Sequence, residues 1–144
     1  MKRLRAIDMK RCIGCYSCVL ACARLVHKSF SWDKAGIQIS SSGGLSTGFE
    51  ATFCLACDPP PCAQVCPTQA LSPRKGGGIR LNSKNCIGCQ KCVQACLIGA
   101  IRFDPDQKKP IFCIHCGQCT QFCPHQCIVL TENQTKKDQP NESI

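Results

Sequence analysis

Four closely spaced cysteine groups constrain this chain more than any other feature. Cys12, Cys15, Cys18 and Cys22 are spaced C-x2-C-x2-C-x3-C. Cys86, Cys89, Cys92 and Cys96 repeat that spacing, and so do Cys113, Cys116, Cys119 and Cys123, which precede Pro124. The second group, Cys54, Cys57, Cys62 and Cys66, opens the middle gap to x4 and is followed by Pro67. Cys127 stands outside the groups. This internal repeat has to be read before any secondary structure. With 17 cysteines, one Trp, one Tyr and six Phe in 144 residues, a core of large side chains is thin. Metal–ligand bonds can supply the missing folding free energy.

The spacing selects the metal chemistry. A C-x2-C-x2-C run lets three thiolates reach three irons of one cube while the chain wraps it. In proteins that hold two such cubes, the fourth cysteine, three residues on, ligates the other cluster, so that two groups interlock. The glycines of Ile13-Gly14-Cys15 and Ile87-Gly88-Cys89 suggest close approach of backbone N–H groups to the cluster. Structural zinc needs four ligands per ion, in pairs such as C-x2-C, and has no use for this pattern. An odd cysteine count fits a disulfide framework poorly. The N-terminal Met1–Ala6 is charged and shows neither the apolar region of a signal peptide nor a twin-arginine pair. The chain is therefore read as cytoplasmic, with thiols kept reduced and metal-loaded, unless it is exported on a partner's signal. Ile128-Val129-Leu130 is typical of its apolar runs, all far too short for membrane insertion.

The formal charge of +9 also needs the metal in the sum. An oxidised [4Fe–4S] cube with four thiolates carries about −2, so four of them bring the loaded chain to about +1. The excess of Lys and Arg then compensates buried clusters, and the basic balance does not point to nucleic acid.

Short strands flank the groups. Arg3–Asp8 and Ile79–Asn82 alternate in polarity, Gly76-Gly77-Gly78 turns a hairpin between Leu71 and Ile79, and a second hairpin runs from Ala100 to Phe112 through Asp104-Pro105-Asp106. Short helices are expected to begin near the third cysteine of each group and to carry the fourth, most clearly over Cys18–Val26. Residues 28–50, rich in Ser and Gly with Phe30, Trp32 and Phe49, read either as a surface loop or as a docking loop for a partner. The polar segment 132–144 is expected to be disordered.

The stretch Cys54-Leu55-Ala56-Cys57-Asp58-Pro59-Pro60-Pro61-Cys62 through Cys66-Pro67-Thr68-Gln69-Ala70, with the other three groups, resembles the four-cluster ferredoxin-type subunits that serve molybdenum and tungsten oxidoreductases. The stretch from Cys12 through Ala23-Arg24-Leu25-Val26-His27-Lys28-Ser29-Phe30-Ser31-Trp32-Asp33 is similar to the small subunits of aldehyde:ferredoxin oxidoreductase-like tungsten enzymes, including class II benzoyl-CoA reductase. The resemblance implies an α+β fold of tandem, pseudo-symmetric bacterial ferredoxin-like modules, built of short β-hairpins and short helices over residues 1–131. The outer cluster pair would come from 1–27 and 110–131, the inner pair from 51–103. It implies four [4Fe–4S] clusters, with three as the fallback because such families can lose one. Cluster 1 would take Cys12, Cys15, Cys18 and Cys123, and cluster 2 Cys54, Cys57, Cys62 and Cys96. Cluster 3 would take Cys86, Cys89, Cys92 and Cys66, and cluster 4 Cys113, Cys116, Cys119 and Cys22.

The function so implied is outer-sphere electron transfer without catalysis of its own, between a tungsten-bis-pterin catalytic subunit and ferredoxin or further redox subunits. A free polyferredoxin and a zinc-binding interaction module are the alternatives. Around the ligands, Cys127 reads as a spare buried thiol or as a substitute for Cys123. His115 is expected to pack or hydrogen-bond near a cluster, and His27 and His125 to be surface or packing residues. Tyr16 and Phe122 are expected to shield clusters. Lys10, Arg11 and Lys91 either steer an acidic partner or are merely solvated.

Overall fold

In the computed structural model, residues 2–41 and 48–132 are described. The disordered tail expected over 132–144 lies, apart from Glu132, outside the described residues. Four two-stranded antiparallel sheets and a few short helices surround the cysteines, in keeping with a 4Fe–4S ferredoxin-type fold.

The outer part is framed by the two ends of the described chain. Strand β1 (Lys2–Ala6) pairs with β8 (Ile128–Glu132), from Lys2 opposite Glu132 to Ala6 opposite Ile128. Between them lies α1 (Ser17–Leu25), which buries Val19 and Ala23. Strands β2 (Gln38–Ser41) and β3 (Phe49–Thr52) form a second ladder. Leu4, Val19, Ile37, Ile39, Phe53 and Ile128 gather with Cys18, Cys22 and Cys119 into one apolar cluster.

The inner part uses shorter pieces. Strands β4 (Leu71–Pro73) and β5 (Ile79–Leu81) form the hairpin expected over the triple glycine. Strands β6 (Arg102–Asp104) and β7 (Lys109–Ile111) form the other. Its turn is held by Asp104, whose Oδ1 accepts the Asp106 N–H at 2.9 Å, an Asx arrangement. Helices α2 (Pro61–Gln64) and α3 (Lys91–Ala95) make about one turn each. A second apolar cluster joins Leu71, Ile79, Ile101 and Phe112 to Cys62 and Cys92.

The expectation that each helix carries its fourth cysteine holds only for α1. Helix α2 stops before Cys66, α3 stops at Ala95, and the last group has only a 3₁₀ turn, Gln118–Phe122. Cys96 and Cys123 are extended, at ψ 114° and 113°. Pro67 and Pro124 bias the residue before them away from the helical region.

The loop after α1 packs inward along part of its length. Ile37 is buried, and Lys34 bonds Asp106 at 2.8 Å across to the β6–β7 hairpin. Phe30 and Trp32 point outward, with Phe30 91% exposed.

Candidate metal centre

The four groups share one backbone device. The residue before the second cysteine is left-handed in every group: Gly14, Ala56, Gly88 and His115, at φ +65°, +54°, +70° and +56°. Tyr16, Gln90 and Gly117, just after the second cysteine, are left-handed too. Outside glycine this conformation costs about 1 kcal/mol or more, and it concentrates at functional sites. Such turns aim successive N–H groups at one point, which suits an anionic group. The N–H of Ala56 points to Cys54 Sγ and that of His115 to Cys113 Sγ, each at 3.4 Å.

Beyond the fourth cysteine the chain turns again, and Gln69, Gly99 and Gln126 are left-handed. The next residue then donates to the sulfur behind it: Ala100 N–H to Cys96 Sγ at 3.2 Å, and Cys127 N–H to Cys123 Sγ at 3.3 Å. In the first group α1 runs on, and Gly36 N–H supplies the equivalent bond to Cys22 Sγ at 3.3 Å. Gly36 has no room for a side chain: a Cβ there would lie 2.7 Å from the Phe112 carbonyl oxygen. Sequence reasoning missed it, because its partner is distant in the chain.

At Gly14 and Gly88 the left-handed φ is what favours glycine, and the space a Cβ would take is filled by Phe49 and by the Lys108 carbonyl.

The fold brings thiols of different groups together. One cavity is lined by Cys22 with Cys113, Cys116 and Cys119, and another by Cys66 with Cys86, Cys89 and Cys92. Cys18 lies within electrostatic reach of Cys123, Cys15 and Cys12, and Cys62 within reach of Cys54 and Cys96. Three cysteines of one group thus meet the fourth of another. Among the described residues, no three His, Cys, Asp or Glu side chains converge tightly enough to hold a single metal ion. Four thiols instead ring a volume, and a soft all-sulfur donor set around a volume fits a [4Fe–4S] cube better than one zinc ion.

Burial pushes the Cys18, Cys113 and Cys119 thiols up to about 12, and Cys62 to about 11, against backbone N–H groups that lower all but Cys119. Burial also acts on Cys66, but there the Leu71 N–H, the Thr68 hydroxyl and the N–H groups of Thr68 and Ala70 outweigh it and lower the thiol. Binding a metal as thiolate therefore releases protons from the buried members of each set. The second cysteine of every group, Cys15, Cys57, Cys89 and Cys116, is exposed, so each set has one edge at the surface.

The surrounding residues have defined places. Cys127 is 2% exposed, and its thiol is pushed up to about 11 by burial and by Cys123. His115 is 7% exposed, and its Nδ1 accepts the Leu4 N–H at 3.0 Å. Burial, with Arg74 and Arg3 nearby, holds the imidazole down at about 4, so it is neutral. His27 is half-buried. Tyr16 is partly exposed and donates to the Ile39 carbonyl at 3.1 Å, and Phe122 is also exposed. Lys10, Arg11 and Lys91 are exposed.

A family model described as a 4Fe-4S binding domain matches residues 9–25, 83–97 and 113–132, the first, third and fourth groups. The chain is 34% identical over 117 residues to a tetrathionate reductase subunit from Salmonella typhimurium, covering 76% of this chain and 47% of that one. It is 31% identical to the thiosulfate reductase electron transfer subunit PhsB of Salmonella typhi, covering 81% and 69%. It is 34% identical to the YsaA protein of Escherichia coli, covering 86% of both chains. The chain thus spans less than half the length of the first of these relatives. Among the described residues, no helix is long and apolar enough to cross a membrane.

Proposed function

Since the chain belongs to the 4Fe–4S ferredoxin-type electron-transfer proteins, we propose that it holds four [4Fe–4S] clusters and relays single electrons within an oxidoreductase complex. The observation that carries this reading is the ring of four cysteines around each of two cavities, with N–H groups aimed at the sulfurs. Cluster 1 would be held by Cys12, Cys15, Cys18 and Cys123, and cluster 4 by Cys113, Cys116, Cys119 and Cys22. Cluster 2 would be held by Cys54, Cys57, Cys62 and Cys96, and cluster 3 by Cys86, Cys89, Cys92 and Cys66. When bound, each cube supplies a one-electron redox centre. The chain's own residues fix the sulfurs, exclude water and aim N–H dipoles at them, which tunes the potential.

The order of the relay follows from proximity. Cys119 lies near Cys18, linking clusters 4 and 1, and Cys113 lies within electrostatic reach of Cys54, linking clusters 4 and 2. Electrons would run 1–4–2–3 or the reverse, leaving at the exposed Cys15 and Cys89 edges.

The partner is a catalytic oxidoreductase subunit, as the relatives' names suggest for their own complexes. Those names are of tetrathionate and thiosulfate reductases, so the partner's class is a reductase catalytic subunit and is not confined to tungsten enzymes. A tungsten-pterin partner remains the finer form of the proposal, with cytoplasmic ferredoxin or a further redox subunit at the other end. Phe30 and Trp32 of the 28–50 loop supply exposed apolar side chains for docking.

Anaerobic purification with iron and acid-labile sulfide assays tests the core claim. About sixteen of each per chain is expected, and a colourless zinc protein would sink it. Metal analysis of whatever copurifies at native expression separates tungsten from molybdenum partners. A solitary monomer would favour the free polyferredoxin.

A further inference from the structure

Between the two cysteine pairs lies a junction that the ligand sets do not explain. On one side is the loop Cys54–Cys57, and on the other the loop Cys113–Cys116. Arg3, on β1 of the outer part, reaches into the inner part and donates to the Gly76 carbonyl. The Gly76–Gly78 turn lies directly on the Cys54–Cys57 loop: Gly78 N–H donates to the Cys57 carbonyl at 3.4 Å. A Cβ on Gly77 would collide with both the Arg3 guanidinium and the Ala56 carbonyl. Arg74, at the base of the same turn, reaches back the other way. Its Nη1 donates to the Ile114 carbonyl at 2.9 Å, inside the Cys113–Cys116 loop. Leu4, beside Arg3, holds His115 of that loop through the 3.0 Å bond to Nδ1.

Two donors here have no acceptor. Arg3 Nε and His115 Nε2 are buried without a hydrogen-bond partner. Because His115 Nδ1 accepts, the imidazole proton is assigned to Nε2. Buried N–H groups are rarely left unpaired, and both arginines lie within electrostatic reach of the cysteine loops, Arg3 of Cys54 and Arg3 with Arg74 of His115. The two arginines also place two positive charges where the two cysteine pairs approach each other.

We propose that Arg3, Arg74 and His115 form a reciprocal clasp that positions the two facing cluster loops and raises the reduction potentials of clusters 2 and 4. This rests on the four-cluster reading above. With clusters held by Cys113, Cys116, Cys119 and Cys22 and by Cys54, Cys57, Cys62 and Cys96, the transfer between them would be of one electron and no proton, the donor being oxidised by one electron and the acceptor reduced by one. Each cube gains negative charge when it accepts the electron, so nearby fixed cations and N–H donors favour its reduced form. Raising both together leaves the step between clusters 4 and 2 unchanged and makes electron entry into the middle of the relay more favourable. Arg3 and Arg74 are positioning residues, since neither is a ligand.

The test is an anaerobic redox titration of the whole chain, followed by electron paramagnetic resonance, after iron and sulfide have been counted. In Arg74→Gln and Arg3→Gln, two of the four cluster signals should lose about tenfold in reduction equilibrium, which is about 59 mV for one electron, while the other two stay in place. Arg74→Lys and Arg3→Lys keep the charge and should recover most of the shift. His115→Phe should move one signal only. Should Arg3→Gln fail to load iron, the half-buried Arg74 still carries the test. Fully loaded Gln variants with all four potentials unchanged, or with all four shifted equally, overturn the clasp. An iron count well below sixteen in the unsubstituted protein is instead a failure of the four-cluster reading.

Discussion

The outer and inner parts carry nearly the same ligand spacing on very different scaffolds. The outer part has a five-residue pairing of β1 with β8, the nine-residue α1, and an apolar cluster that includes fully buried Val19 and Ile37. The inner part has two three-residue ladders, helices of about one turn, and four large apolar side chains around its cysteines. Two-stranded ladders and one-turn helices are marginal on their own. The inner part must therefore take more of its folding free energy from bound metal, and the outer part more from ordinary burial.

Stripping the iron anaerobically should separate the two parts most strongly. Hydrogen exchange should show the Arg74, Asn82 and Gln94 amides losing protection entirely, while the Leu4, Ile7 and Val26 amides keep a measurable remnant. Equal loss in both parts would refute the contrast. Ile37→Ala comes next in size. It opens a cavity in the better-packed cluster and should cost about 2–5 kcal/mol, read by denaturant unfolding of the loaded chain. A cost below about 1 kcal/mol would mean that the outer part, too, rests on metal.

How far this was legible in the sequence depends on the range of the interaction. The cysteine groups and both inner hairpins are local, and the glycine run and Asp104-Pro105-Asp106 marked their turns. The β1–β8 pairing joins the ends of the described chain, and Ile128–Leu130 was too short a run to announce a strand. Gly36, Arg3 and Arg74 act on residues remote in the chain, so no local pattern exposes them. Tyr16, Gln90 and His115 adopt left-handed turns without glycine, because the repeated cysteine geometry overrides local preference.

Glycine substitutions sharpen the comparison at a finer scale. Gly117, in the outer part, is left-handed at φ +76°, and a Cβ would sit 2.7 Å from Leu130 Cδ2. Gly99, in the inner part, has φ +66° and open space around it. Gly117→Ala should cost about 1–3 kcal/mol for overpacking, on top of the backbone strain of about 1–2 kcal/mol that is all Gly99→Ala should incur. Equal losses in thermal unfolding would show that the Leu130 contact relaxes freely.

The smallest effect is expected at Cys127, and it bears on why a seventeenth cysteine exists. Counted from the fourth cysteine of each group, Cys127 occupies the place of Ala70 and Ala100. Its backbone N–H, like that of Ala100, bonds the sulfur four residues back. The position asks for a small buried residue and an N–H, and both survive Cys127→Ala. The loss should stay near or below about 1 kcal/mol, the scale of one buried methylene, with iron content unchanged. Were Cys127 a ligand in place of Cys123, the pattern would invert: Cys127→Ala would lose about four irons and Cys123→Ala none. Iron assays on the two variants side by side decide between these outcomes: Cys127→Ala keeps both the backbone N–H and the Cys123 sulfur it bonds, whereas Cys123→Ala removes that sulfur.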